Sequence, residues 1–531
     1  MKTRLLLLFS ILFGAFQASS QNAEARRPIS LDDPSSRTAV VARVGSIGIT
    51  AREFILNYEF APSFIKQRKD AKKHLLNLMI NEKLFALEGG QAGAAQQERI
   101  ASALEEIEGD LATEELYKKD VLPGISVRSA ELAGGIRESA VHMQVEWLYA
   151  PGPASRDSLE AALRRGEPFD TLFQRQNPDS ADRTNRSLDA SLFDIRKTNR
   201  PIGDVLSSLP PGTVSEAVRG PDGWYFTRIR DKWVSALQTQ TEQMKIRHDV
   251  EESLKQQMAD SLSDLYITAI MSRNRPVIVK ETFGVLLAFL AQYYVDSTTA
   301  SEWGFVPPAV SRHPWSMRDT RWVEDQALRP LVTLAGGRDT LSLATFLSWY
   351  RNRESLIKLS ARAKGAFAFA SEQLVWRMVR DRLLVEKARR RKLNTIEAVR
   401  EQKKWWEEKL LFEAAKGSMR NDIPWRDEDL RAYYREHIRD FRGSAGDTVT
   451  FDRAKDDVLR SYFKLEMARR MFHRVVLLRR KYPVEVRDSV LARIPVDQNQ
   501  AKPIDVYAVK KGGTFPRPAF PTVDPGWQEW Y

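Results

Sequence analysis

The sequence predicts a mostly helical protein with a small α+β insert, in which one helical module occurs twice and only the first copy carries the insert. Three observations lead to this prediction. The chain has 531 residues, too many to surround one hydrophobic core, so several domains are expected. A series of helix and strand patterns recurs in the second half in the same order. Residues 141–233 interrupt only the first series.

The first series begins with a short strand pattern at residues 40–44 and a turn at residues 46–48. Thr50 and Glu53 then have the Thr-x-x-Glu spacing of a capping box, which satisfies free amides at a helix start. An amphipathic run follows over residues 75–87, with leucines and other apolar side chains on one face. These patterns predict two short strands joined by a turn and followed by helices.

The second series repeats this order. Residues 331–334 form the strand pattern, Gly336 and Gly337 the turn, and residues 374–385 the amphipathic run. Each series continues with a long helical stretch and ends with a long helix, a proline and a short strand. The ranges are 95–118 and 395–420 for the stretches, 244–271 and 451–480 for the last helices, and 277–279 and 484–486 for the strands. Helical segments of similar composition can coincide by chance, but five elements in one order favour a repeat.

Domain boundaries follow from the repeat and from changes in composition. Residues 282–327 hold an apolar stretch and then a segment with proline and tryptophan, which we interpret as a linker. The proline-rich tail is expected to be extended, either draped over the body or used as a docking peptide. The predicted divisions are a signal peptide (1–20), a linker (21–37), the first helical module (38–140), the α+β insert (141–233), a helix and strand completing the first module (234–281), a linker (282–327), the second module (328–487) and the tail (488–531).

The N-terminus has the pattern of an export signal. Lys2 and Arg4 precede an apolar stretch at residues 5–16, and small residues at 18–20 supply a cleavage site. A membrane anchor, the alternative, needs about 20 apolar residues. The signal predicts a periplasmic protein, and no later stretch has the pattern of a transmembrane span.

The composition limits the chemistry that the chain can perform. The absence of cysteine excludes disulfides, thiolate catalysis and cysteine-ligated zinc. The six histidines are too far apart for a local metal motif, and no nucleotide-binding motif occurs, so we expect neither metal nor cofactor. The formal charge of +12 suits acidic clients or a peripheral contact with anionic lipid, whereas export makes nucleic acid a poor partner. Acidic pairs such as Glu105–Glu106 and Glu407–Glu408 are interpreted as solvated helix faces.

The insert has the pattern of a small α+β domain. Residues 141–149 alternate as a half-buried strand, residues 158–165 form a helix ended by Gly166, and residues 223–229 form another strand. The segments RRGEPFDTLFQRQNPDS and LPPGTVSEAVRGPDGWYFTRIRD resemble the parvulin prolyl-isomerase domain, most specifically at residues 209–215.

The segments on either side of the insert extend this resemblance. With the flanking VARVGSIGITAREF and LLNLMINEKLFALEG, the chain resembles the SurA, PrsA and PpiD group of periplasmic foldases. The resemblance covers residues 38–281 with the parvulin-like insert and residues 328–487 without it. It implies two SurA-like helical chaperone modules, the first of which carries a parvulin-like domain.

The resemblance implies a site in which most of the family's catalytic groups are replaced. Prolyl isomerisation has a barrier of about 20 kcal/mol, and parvulins lower it with two histidines, a cysteine or aspartate, and a pocket aromatic. The histidines fall at Trp147 and Tyr225, and the pocket phenylalanine falls at Ser207. Asp179 lies near the cysteine or aspartate position and is the remaining catalytic candidate. The candidate substrate-binding residues are Trp147, Leu206, Leu209, Tyr225 and Phe193.

The function implied is a periplasmic chaperone or foldase that binds unfolded exported polypeptides, outer-membrane proteins among them, with the isomerase domain kept for binding. His142 does not restore the missing site, because an odd shift along a strand places a side chain on the opposite face. Two alternatives stay open: an active prolyl isomerase with an atypical site, and a non-catalytic structural subunit of envelope assembly. Aromatic residues such as Trp405, Trp406 and Trp425 are candidates for a client groove, although each more often belongs to a core.

Overall fold

The computed structural model describes residues 27–61, 63–177, 186–235, 239–305, 325–360, 362–442, 448–496 and 512–527. The chain divides into two compact units, a helical unit (Met1–Tyr117 and Met271–Tyr531) and a smaller unit (Lys118–Ile270). It is mostly helical with small antiparallel sheets, which confirms the predicted fold class. Among the residues described, no helix is both long and apolar enough to cross a membrane.

Strands and helices are numbered along the chain. The strands are β1 (Val40–Val44), β2 (Ile47–Thr50), β3 (Val141–Ala150), β4 (Ser187–Ser191), β5 (Val218–Arg219), β6 (Trp224–Val234), β7 (Val277–Ile278), β8 (Pro330–Leu334), β9 (Asp339–Ser342) and β10 (Val484–Val486). The helices are α1 (Ala51–Glu59), α2 (Ser63–Lys66), α3 (Ala71–Gly89), α4 (Ala94–Asp120), α5 (Ser129–Ala140), α6 (Pro153–Arg164), α7 (Phe169–Gln176), α8 (Leu192–Thr198), α9 (Arg200–Ser208), α10 (Gln240–Asn274), α11 (Lys280–Tyr294), α12 (Ser297–Glu302), α13 (Leu343–Arg351), α14 (Lys364–Arg390), α15 (Glu397–Asn421), α16 (Asp427–Glu436), α17 (Phe451–Lys481) and α18 (Asp488–Ala492).

Each of two small sheets joins the first hairpin of one sequence series to the last strand of the other series. Their strand orders are β10–β1–β2 and β7–β8–β9, and all neighbours are antiparallel. The last strand of the second series therefore pairs with the first hairpin, with Ala42 opposite Val486. The last strand of the first series pairs with the second hairpin, with Val277 opposite Thr333. The sequence placed each terminal strand in its own module, but local patterns do not determine which hairpin a third strand joins.

The main apolar core of the helical unit lies beside the β10–β1–β2 sheet, where α3, α15 and α17 pack. Gly89 marks the closest approach of α3 to α15, since a Cβ placed there would lie 2.1 Å from the backbone oxygen of Leu411. At the start of α1, the Thr50 hydroxyl accepts a hydrogen bond of 3.2 Å from the Glu53 amide, as the capping-box spacing predicts. The Glu53 carboxylate is turned toward Lys83.

The segment interpreted as a linker, residues 282–327, begins as buried helix. Within α11, Leu286 and Leu290 have no exposed surface, because burying this apolar stretch removes a large area from water. Residues 306–324 lie outside the described residues. The tail begins with the helix α18, and residues 512–526 of its described part have no regular helix or strand.

The smaller unit is built on one four-stranded antiparallel sheet of order β4–β3–β6–β5. One face packs against α8 and α9, and the other packs against α6 and α7. The helix α5 and most of α10 belong to this unit, although the sequence assigned both to the first helical module. The reason is close packing: a Cβ at Gly135 of α5 would lie 2.6 Å from the Val250 side chain of α10 and 3.1 Å from Phe193 of α8.

Candidate peptide-binding sites

Three aromatic side chains share one face of the sheet in the smaller unit. Strand side chains alternate between faces, which places Trp147 and Tyr149 of β3 on one side. Tyr225 of β6 lies directly opposite Tyr149, and Thr227 lies opposite Trp147. The rings of Tyr149 and Tyr225 are 5.4 Å apart between centroids. All three aromatic residues are partly exposed, so this face offers rings to a ligand.

The two phenols of this face are hydrogen-bonded. The Tyr225 hydroxyl donates to the Asp222 carboxylate at 2.7 Å, and the Tyr149 hydroxyl donates to the Asp222 backbone oxygen at 2.7 Å. Burial, together with the bond to Asp222, raises the pKa of Tyr225 to about 12. This phenol therefore stays protonated near neutral pH and does not act as a base there.

The other candidate residues of the smaller unit have different surroundings. Leu209 is partly buried at the edge of the apolar cluster on the same sheet face, whereas Leu206 has no exposed surface and lies within that cluster. Phe193 is buried and packs against α5. Asp179 lies outside the described residues. His142 occupies the opposite face, where its ring stacks on Trp233 with centroids 5.7 Å apart.

A second candidate site, which the sequence did not reveal, is a groove in the helical unit that holds residues 512–527. Its first part binds the main chain of this segment. The amides of Thr514 and Phe515 both donate to one carboxylate oxygen of Asp110 on α4, at 2.7 Å for Phe515. The Arg353 guanidinium donates to the Thr514 backbone oxygen at 3.1 Å. Asp110 is fully buried, where a carboxylate without hydrogen-bond partners would be costly.

Arg517 anchors the middle of the segment. Its Nε lies 2.7 Å from the second Asp110 carboxylate oxygen, and its Nη2 forms an ion pair with Glu114, one helical turn further along α4. The side chain of Arg517 is only 2% exposed, and its guanidinium lies 5.6 Å from the centre of the Trp406 ring. The two carboxylates and the aromatic ring around this guanidinium form a specific recognition site for a cation.

Trp527 anchors the end of the segment. Its ring lies 6.2 Å from the ring centres of both Phe85 and Phe412, and it is 1% exposed. Its indole N–H donates to Glu82 at 3.1 Å. The same carboxylate oxygen accepts the Asp524 amide at 2.6 Å. Tryptophan is well suited to such a pocket because it combines a large apolar ring with one donor.

A buried ion cluster adjoins the groove. The Lys83 ammonium bridges the carboxylates of Glu53 and Glu408, and both acidic side chains are less than a tenth exposed. Burial, and then the neighbouring charge of Glu408, raise the pKa of Glu53 to about 7. Burial opposes the charge of Lys83, but its two carboxylate partners outweigh burial and raise its pKa. The interpretation of Glu407–Glu408 as a solvated pair was therefore wrong for Glu408, because α15 turns it into the helical unit.

Several of the aromatic candidates are core residues. Trp405 and Trp406 are less than a tenth exposed, whereas Trp425 is 47% exposed. Among the described residues, no cluster of three or more histidine or acidic side chains has a geometry that could hold a metal ion. The groove in the helical unit contacts main chain, a guanidinium and an indole ring, whereas the sheet face presents aromatic rings.

Comparisons with known proteins point to one group of solved structures. No protein-family model and no curated protein matches the sequence. Similar structures include PrsA peptidylprolyl isomerases from Bacillus anthracis (12% identity, 36% of this chain, 96% of that chain, TM-score 0.19) and Bacillus cereus (16%, 41%, 88%, 0.19). Another is the foldase protein PrsA from Streptococcus pneumoniae (12%, 41%, 88%, 0.21). At such TM-scores the likeness does not by itself identify what this chain does.

Proposed function

We propose that this chain is an exported, periplasmic chaperone for unfolded or extended polypeptides, outer-membrane proteins among them, and that its parvulin-like unit binds clients without catalysing prolyl isomerisation. One observation carries the proposal: Trp147, Tyr149 and Tyr225 share a partly exposed sheet face, and aromatic rings occupy both positions where the resemblance expects histidine. Such rings suit proline and other apolar side chains of an extended peptide.

The chemistry of this face favours binding over catalysis. An isomerase must favour the twisted amide over both planar forms, against a barrier of about 18–20 kcal/mol. Polar groups that reorganise little during the reaction supply such stabilisation. Here the Tyr225 phenol is already bonded to Asp222, and indole at position 147 has a single donor and no acceptor.

The first test measures both activities on the full chain. We expect no acceleration of cis–trans exchange in a panel of X-Pro peptides, whose uncatalysed exchange takes about 10–100 s at 25 °C. We also expect the chain to suppress aggregation of an unfolded outer-membrane barrel protein. Accelerated exchange that is lost in Asp179→Asn would instead establish an active isomerase. Absence of both activities, together with one stoichiometric partner, would indicate a structural subunit.

A variant pair tests whether the aromatic face binds clients. Trp147→Ala should weaken binding of a proline-containing extended peptide by about threefold to tenfold, because an aromatic contact contributes roughly 0.5–1.5 kcal/mol beyond its buried area. The matched control is Trp233→Ala, which removes a tryptophan from the opposite face. Equal affinities for the two variants in a fluorescence titration would contradict the assignment of this face.

Export is the remaining part of the proposal and rests on residues 1–20. Cell fractionation should recover the chain in the periplasm, and N-terminal sequencing should show removal of the leader near residue 20. A chain that keeps its first residues would contradict this part alone.

A further inference from the structure

We infer that residues 512–527 are a resident ligand of a peptide groove in the helical unit, and that they reveal the client class of that groove. The expected client is an extended segment with an arginine and a tryptophan at the spacing of Arg517 and Trp527. This inference rests on the proposed function and names the substrate of its helical unit.

The main chain of the segment is recognised as a peptide ligand would be. Its amides at Thr514, Phe515, Val523 and Asp524 donate to side-chain oxygens of the helical unit. The acceptors are Asp110, Asn57 and Glu82. Neighbouring helices and strands satisfy their own main chains within regular structure. A groove that supplies acceptors to an irregular main chain can hold segments of different sequence.

Two side-chain sites add selectivity. The first holds Arg517 between Asp110 and Glu114, and a lysine cannot reproduce the geometry of a planar guanidinium there. The second holds Trp527 between two phenylalanine rings. Without the segment, the fully buried Asp110 would lose its arginine and its two amide donors. An incoming cationic, aromatic segment would restore the same contacts.

An open cleft next to the segment supplies an entry for a competitor. A cleft of about 530 Å³ lies between α4, α15 and α17, and Asp524 of the segment forms part of its wall. Arg99, Ile100 and Leu410 also line it. A client that enters this cleft contacts the segment at Asp524, which forms an ion pair of 2.5 Å with Lys416 of α15. Binding would then proceed by replacing the segment from that end.

The consequence is competition between client and segment. The full chain should bind clients weakly, because each client must displace a ligand that is covalently tethered and therefore present at high effective concentration. A chain that lacks the segment should bind the same client more tightly.

The experiment compares the full chain with a chain ending at residue 511, using a fluorescent synthetic peptide of residues 512–531. We expect the shortened chain to bind the peptide at least tenfold more tightly than the full chain. Peptides with Arg517→Glu or Trp527→Ala should each lose at least tenfold in affinity. The matched control peptide carries Pro516→Ala, at an exposed position, and should bind within twofold of the original.

A second variant covers the case in which the shortened chain does not fold. The full chain with Arg517→Glu and Trp527→Ala keeps its length but should release its segment, and it should gain at least tenfold in affinity for the unmodified peptide. The inference is overturned if a folded shortened chain does not bind the peptide. It is also overturned if shortening prevents folding and the double variant gains no affinity, since the segment is then an inseparable part of the core.

The outcome separates this inference from the proposed function. Peptide binding by the shortened chain without suppression of aggregation would refute the chaperone proposal and leave the resident ligand established. Suppression of aggregation by the full chain, together with a double variant that gains no affinity for the peptide, would refute the resident ligand alone.

Discussion

Two long-helix pairings of the helical unit, α3 with α15 and α4 with α14, differ in how tightly they pack. At the first, α3 approaches α15 so closely that Gly89 has no room for a methyl group, and the pocket beside the ion cluster has a volume of about 20 Å³. At the second, α4 faces α14 across a cleft of about 270 Å³, and a Cβ at Gly109 would lie 3.0 Å from the side chain of Val385. We call the first pairing closed because it is tightly packed around the ion cluster, although a cleft of about 890 Å³ lies at its Gly89 end, and we call the second pairing open.

The buried charged groups of the two interfaces also differ. The closed interface buries Lys83 between two carboxylates. At the open interface, the buried Asp381 accepts the Trp349 indole N–H at 2.9 Å and is paired with Arg380, whose side chain is 38% exposed. The comparison teaches that the first pairing centres on a buried ammonium shared by two buried carboxylates, whereas the second centres on a buried carboxylate paired with a partly exposed guanidinium.

The largest expected effect comes from removing the cation of the ion cluster formed by Lys83, Glu53 and Glu408. Lys83→Met leaves Glu53 and Glu408 buried without their shared cation, and removal of one partner from a buried pair costs about 3–5 kcal/mol. The control is Lys404→Met, since this exposed lysine lies 3.9 Å from Glu408 on the same helix, and exposed pairs contribute about 0–1 kcal/mol. Denaturant unfolding measures both variants. Similar losses for the two lysines would show that the cluster does not stabilise the interface.

The next effect is a dependence of stability on pH. The raised pKa of Glu53, about 7 against an ordinary 4.5, means that the folded state holds a proton that the unfolded state has lost between these values. The stabilisation is complete below pH 4.5 and disappears as the pH rises through about 7, with a total on the order of 3 kcal/mol. Glu53→Gln cannot ionise, so its unfolding free energy should lack this decrease.

The measurement is the difference in unfolding free energy between the original chain and Glu53→Gln from pH 4.5 to 8. Asp381 and Glu401 also have pKa values raised first by burial, but they are present in both proteins and cancel in the difference. Parallel curves would mean that Glu53 is not the titrating group.

The smallest expected effect concerns the two glycines. Gly89→Ala forces a methyl group against the Leu411 backbone, and such overpacking costs about 1–3 kcal/mol. Gly109→Ala meets only a side chain that can shift, and alanine gains about 1 kcal/mol in helix propensity, so the net change should be close to zero. Gly93→Ala, with no atom within 4 Å of its Cβ, is the control. A lower melting temperature for Gly109→Ala than for Gly89→Ala would contradict the comparison.

Much of the fold was accessible from local patterns. The strand β10 has the predicted bounds, and the last helix α17 ends one residue beyond the predicted range. The strand period of two was enough to place His142 on the face opposite Trp147. The exchange of β7 and β10 between hairpins was not accessible, because either pairing satisfies the same strand patterns.

The sequence alone determined many of the helix and strand segments and which strand side chains share a face, because both follow from periodicity within a few turns of chain. Only the tertiary structure decided which charges are buried. Asp110 and Glu114, or Glu408, have the spacing of ordinary solvated helix residues, and their burial depends on partners such as Arg517 and Lys83 that lie hundreds of residues away. Residues distant in sequence meet through packing, and packing energies do not appear in any local pattern.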